Sequence, residues 1–133
     1  LIYICLDIPP SLVKTKNLGE TTFKVWGTGK PKREFLHVDD LSYAIDFLLT
    51  NNFDESIINV GGLEEISIYD LVYKLKKTIG FDGEILFDVN MPDGNPRKLL
   101  DSSKINNLGW KPKITLDEGL ESTYKWYLAN KNL

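Results

Sequence analysis

The chain has 133 residues, 42% hydrophobic and 26% charged, which suits one soluble globular domain and argues against disorder. Its net charge of −3 argues against nucleic-acid binding as the main activity, because gripping a phosphate backbone needs a clustered basic excess. A single Cys and a single His leave no internal disulfide and no His/Cys metal site, fit a reducing cytoplasm, and accompany no apolar run near the ~18 residues of a membrane span.

The opening LIYICLDIPP is apolar but lacks the basic start and cleavage site of a signal peptide; a chain starting inside an apolar run reads as a fragment, or as a strand whose partners lie upstream. Lys14–Glu20 is polar, contains Gly19, and reads as a loop. Thr22–Trp26 alternates and is β-branched, which predicts a strand, broken by the turn Gly27-Thr28-Gly29-Lys30-Pro31. Arg33–Val38 reads as a second strand or extended segment. Asp39 or Asp40 then caps a helix with Leu41, Ala44, Ile45, Leu48 and Leu49 on one face.

Ser56–Val60 reads as a short strand ended by Gly61-Gly62. Ser67 and Asp70 have the spacing of a capping box, although Asp is shorter than the usual Glu. The helix they open carries Ile68, Leu71, Val72, Leu75 and Ile79 on one stripe and stops at Gly80. Glu84–Asp88 reads as a strand and Val89–Arg97 as a loop stiffened by Pro92 and Pro96. After a helical turn around Ser103–Leu108, Thr115 and Glu118 form a proper capping box for a last helix ending near Asn130. The sum is a single mixed α/β domain over 1–133 with three substantial helices. Gly27–Gly29 lacks the third glycine and following helix of a dinucleotide-binding turn.

Two loops could hold an anion. Trp26 offers a flat face, Gly27 and Gly29 let backbone approach a ligand, and Arg33 can make bidentate contacts to phosphate. Pro92–Lys98 carries Asp93, an acceptor for a base or ribose, beside Arg97 and Lys98. Each also has a plainer reading: Trp26 as packing, Arg33 as a solvated side chain, Asp93 as a turn residue. His37 reads as a packed histidine, Cys5 as a small buried residue, and Trp110, Trp126 and the last helix's tyrosines as packing groups. No catalytic triad can be assembled, so spacing alone stops at an anion site.

Taken together, VWGTGKPKREFLHVDDL, INVGG, PDGNPRKLLDSSKINNLGWKP and LDEGLESTYKWYLAN strongly resemble the C-terminal part of the GDP-L-fucose synthase family. That family lies within the extended short-chain dehydrogenases/reductases, the NAD-dependent epimerases and dehydratases. The first motif is shared widely among nucleotide-sugar epimerases and dehydratases, whereas PDG-x-PRKLLD with LGW is typical of the fucose branch. The resemblance implies a C-terminal domain that closes over a GDP-sugar, with contacts at Trp26, Arg33, Asp93 and Lys98. It further implies an upstream Rossmann domain that binds NADP(H) and carries the Ser, Tyr and Lys of catalysis. The whole enzyme would be a cytoplasmic homodimer. It would convert GDP-4-keto-6-deoxy-D-mannose to GDP-L-fucose by epimerisation at C3 and C5 and reduction at C4. None of those catalytic or cofactor motifs occurs here, so the chain alone is expected neither to bind NADPH tightly nor to turn over substrate. A family basic residue expected near Thr15 has no clean match in Lys14 or Lys16. Two other readings stay open: another nucleotide-sugar epimerase or dehydratase, and a non-catalytic sugar-nucleotide-binding module.

Overall fold

The computed structural model describes residues 8–51, 57–62 and 64–130. Leu1–Leu6, Cys5 and Ser56 therefore lie outside the described residues, and so do the expectations placed on them. The chain runs α1 (Ile8–Asn17), β1 (Thr22–Trp26), β2 (Lys32–Glu34), α2 (Val38–Thr50), β3 (Glu65–Ser67), α3 (Ile68–Ile79), β4 (Glu84–Asp88), β5 (Arg97–Lys98), α4 (Ser103–Asn107) and α5 (Leu116–Asn130). The mixed α/β class expected from the sequence holds.

Several elements differ from expectation. Lys14–Asn17 is the end of α1, not a loop. Pro9 and Pro10 sit in its first turn, where a missing N–H costs nothing, while Leu12 and Val13 are buried on its inner face. Within 14–17, Thr15 is buried and Lys16 Nζ donates to the Ile79 carbonyl at the end of α3, tertiary contacts that local polarity cannot reveal. Ile57–Val60 forms no strand. Glu65–Ser67 and Arg97–Lys98 do, each too short to show a period. The second strand stops at Glu34, because the segment 35–37 leads directly into α2.

Two small sheets result. β1 and β4 pair in parallel, Thr22 opposite Glu84 through Trp26 opposite Asp88. β2 is central in the other sheet, antiparallel to β3 and parallel to β5, with Arg33 opposite both Ile66 and Lys98. Two neighbouring connections, Gly27–Pro31 and Val89–Pro96, therefore run side by side from one sheet to the other.

The main core joins α1, β1, α3 and β4 through Leu12, Val13, Phe23, Val25, Leu71, Val72, Leu75, Ile79, Phe81 and Ile85. α5 closes it with Leu116, Leu120, Tyr124 and Tyr127, though none of its residues is fully buried. Trp126 points outward at 65% exposure, contrary to the packing expected of it. A second cluster packs Ala44, Ile105 and Trp110.

Helix ends follow the capping chemistry with one exception. Ser67 Oγ accepts from the Asp70 amide at 3.0 Å, and the short Asp70 carboxylate reaches only the Ser67 hydroxyl. Thr115 and Glu118 make the fuller box, since Glu118 accepts from the Thr115 N–H at 2.9 Å. At the other end of α3, Gly80 takes φ 68°, a left-handed cap that any Cβ would strain. The exception is α2, which His37 caps in place of Asp39 or Asp40.

Candidate functional site

The turn after β1 is built on two close approaches. The Gly27 amide donates to the Asp88 carbonyl at 2.9 Å, and Gly27 takes φ 80°. A Cβ there would lie 2.3 Å from Asp93 Oδ1, so the position requires glycine twice over. Gly29 likewise lets Phe87 and Tyr69 close in, and its carbonyl accepts from the Tyr69 amide. Trp26, just before the turn, is 70% exposed, so its ring is free to cover a ligand and does not serve as core.

Asp93 reaches across from the second connection. Its two oxygens accept from the Thr28 amide at 2.5 Å and the Thr28 hydroxyl at 2.7 Å. Those hydrogen bonds from Thr28, hydroxyl first, with Lys30 adding a smaller attraction, hold the Asp93 carboxyl below the usual carboxylate range.

Arg33 and Lys98 are register partners on adjacent parallel strands, so their side chains leave the same face about 5 Å apart. Arg33 is 5% exposed, and its Nη1 donates to the Lys32 carbonyl at 2.6 Å. Its Nε is buried with no hydrogen-bond partner, and no carboxylate pairs with it among the described residues. A buried guanidinium without an anion is costly, so Arg33 is a group that an anion would stabilise. Arg97, by contrast, is spent: it forms a two-point pair with Glu65, 2.7 Å on each arm. Its guanidinium depresses the Glu65 pKa, and the carboxylate raises that of Arg97. Lys98 has no ion-pair partner among the described residues.

The structure thus brings Arg33 and Lys98 together on one sheet and ties Asp93 to the turn after Trp26, while Trp26 itself ends the other sheet. Sequence reasoning missed Thr28 and Glu65, whose partners lie 65 and 32 residues away. It also misread Asp40, which is 2% exposed and accepts from the Lys113 and Ile114 amides at 3.0 and 2.9 Å. His37 is packed as expected: Nδ1 accepts from the Asp39 amide, leaving Nε2–H for Ser122 Oγ at 3.1 Å. Both ring nitrogens are engaged, so it is no free base. Gly119 makes room for this ring, since a Cβ there would lie 3.2 Å from His37 Cδ2.

A cleft of about 510 Å³ between α1, α3 and α5 has no Lys, Arg, Asp or Glu among its described lining residues, so no Lys or Arg there would meet a diphosphate. No group of three or more His, Cys, Asp or Glu that could hold a metal occurs among the described residues. Nor do they suit a dinucleotide cofactor, because the Gly27–Gly29 turn leads into strand β2 and not into a helix N-terminus.

Known proteins resemble the chain closely. Residues 8–61 match the model of the NAD dependent epimerase/dehydratase family. A probable GDP-L-fucose synthase 1 of Oryza sativa subsp. japonica is 50% identical over 117 residues, 88% of this chain and 35% of that protein. GDP-L-fucose synthase 1 of Arabidopsis thaliana is 51% identical over 106 residues, 80% of this chain and 33% of that one. Among solved structures, a GDP-L-fucose synthetase from Naegleria fowleri bound to NADP superimposes with a TM-score of 0.86 at 25% identity. That match covers 94% of this chain and 40% of the other. The chain therefore spans about a third of the length of the curated relatives it matches.

Proposed function

We propose that the chain, which matches the NAD dependent epimerase/dehydratase family over residues 8–61, is the GDP-sugar-binding part of a GDP-L-fucose synthase. On this reading residues 1–133 are one C-terminal substrate-binding domain, and an NADP(H)-binding Rossmann domain and the catalytic residues belong to the remainder of a longer protein. That protein would convert GDP-4-keto-6-deoxy-D-mannose to GDP-L-fucose as a cytoplasmic homodimer. No described helix is long and apolar enough to cross a membrane.

One observation carries the assignment of the site. Arg33 is a buried cation lacking an anion, with Lys98 as its register neighbour. A nucleoside diphosphate supplies that anion. In this account Arg33 makes paired hydrogen bonds to phosphate oxygens and Lys98 adds a point charge at phosphate or ribose. Trp26 provides an aromatic wall. The half-identity to GDP-L-fucose synthases favours guanosine over other bases.

The test is Arg33→Ala in the full-length protein, with GDP-sugar affinity measured by calorimetry. Loss of the guanidinium–phosphate hydrogen bonds is expected to weaken binding by about 10- to 100-fold, or roughly 1.5–3 kcal/mol. Unchanged affinity would remove Arg33 from the site.

A further inference from the structure

We infer that Glu34 is a positioning residue for the proposed site: its carboxylate clamps the Leu100 amide and so holds Lys98 in register beside Arg33. The inference rests on the reading that places Arg33 and Lys98 at the GDP-sugar. Glu34 follows Arg33 in β2, so its side chain leaves the opposite face of the strand.

The ladder joining β2 to β5 is only two residues long, Lys32 opposite Arg97 and Arg33 opposite Lys98. So few backbone bonds leave Lys98 with little to hold it. Before the ladder, the Lys32 amide donates to the Pro96 carbonyl at 2.9 Å. After it, β2 stops at Glu34, and the Leu100 amide donates instead to Glu34 Oε1 at 2.7 Å. The side chain thus adds a rung where the backbone supplies none. Lys98 lies between the two ties.

The surroundings of Glu34 are the second observation. It stands opposite a like charge, Glu65, in the β2–β3 pair. The nearby guanidinium of Arg97 is committed to Glu65 by both arms, and no cation pairs with Glu34 among the described residues. Glu34 Oε2 and Ser102 Oγ are both buried without a hydrogen-bond partner. Buried Gly61 packs against the two: a Cβ there would lie 2.6 Å from the carboxylate oxygen and 3.0 Å from the hydroxyl. Backbone therefore roofs the carboxylate, and a hydrogen bond shielded in this way is stronger than one in water.

The experiment titrates GDP into the full-length protein by calorimetry for wild type, Glu34→Ala, Glu34→Gln, Lys98→Ala and the double Glu34→Ala, Lys98→Ala variant. Hydrogen exchange of the Leu100 amide is followed alongside. Lys98→Ala is expected to weaken GDP about tenfold and Glu34→Ala about as much, with the double variant no weaker than Lys98→Ala alone. Glu34→Gln keeps an oxygen for the Leu100 amide, so its affinity stays within about twofold of wild type and Leu100 exchange stays slow. Glu34→Ala speeds that exchange. If Glu34→Ala does not fold, Gly61→Ala serves in its place, because its Cβ displaces the carboxylate without removing it. Losses that multiply in the double variant would show Glu34 acting otherwise than through Lys98, and would overturn the inference. Wild-type affinity in Glu34→Ala, or a Glu34→Gln as weak as Glu34→Ala, would overturn it equally. Should wild type bind no GDP, or Lys98→Ala bind it unchanged, the reading of the site fails instead. The clamp is then judged by exchange alone, and an unchanged Leu100 rate in Glu34→Ala sinks it.

Discussion

Asp40 sits 2% exposed with a carboxylate that receives two backbone amides from the segment before α5. These hydrogen bonds fix the segment before α5 against α2 and give the Lys113 and Ile114 N–H groups their acceptor. Asp40→Ala removes both acceptors at once, and each abandoned amide costs about 1–3 kcal/mol. The variant is expected to lose roughly 2–5 kcal/mol in urea unfolding at pH 7; a loss below about 0.5 kcal/mol would show that water replaces the carboxylate. The same residue explains what a sequence can and cannot tell at this scale. Two adjacent acids before an apolar run signal a helix start, and α2 does start there. Which acid caps, and what the other does, depends on amides 73 and 74 positions away. Arg33 was legible as a cation, but its burial without an anion came only from the fold.

At the scale of elements, α3 and α5 were written plainly, because a capping box followed by a helical apolar stripe fixes both start and face. α1, β3 and β5 were not. α1 opens on two prolines and shows little polar alternation. The two short strands owe their pairing to β2 and not to their own composition. Glu118 gives a test at this scale. Its hydrogen bonds from Thr115, side chain first, lower its pKa in the folded chain. A depressed carboxylate stabilises the fold above its unfolded pKa, and the contribution fades as pH falls through the folded value. Wild type should therefore exceed Glu118→Gln in stability at pH 7, and the gap should narrow below about pH 4.3 and close further down. Melting curves taken from pH 7 to 3 read this directly; a gap independent of pH would show that the carboxylate charge plays no part.

For the whole molecule, the informative feature is what α2 leaves uncovered. The sequence placed Leu41, Ala44, Ile45, Leu48 and Leu49 on one face, but only Ala44 is fully buried and Leu48 packs partly behind it. Leu41, Ile45 and Leu49 form a stripe with 38%, 52% and 82% exposure. Its periodicity was legible; its lack of cover was not, since amphipathic spacing says which residues share a face and not what meets it. An apolar stripe of this kind is consistent with a chain spanning about a third of its relatives. The groups proposed for the site, Trp26, Arg33 and Lys98, lie on the two sheets.

The central claim is that this fold carries the GDP-sugar site. Its most direct measurement is the melting temperature of the chain with GDP, UDP or dTDP, each at matched millimolar concentration. Saturation about a hundredfold over Kd stabilises a protein by roughly 2.7 kcal/mol, on the order of 10 °C for a domain of this size. GDP is predicted to raise the midpoint by several degrees and more than the other two nucleotides. A larger rise with UDP or dTDP, or no rise with any of them, would contradict the account.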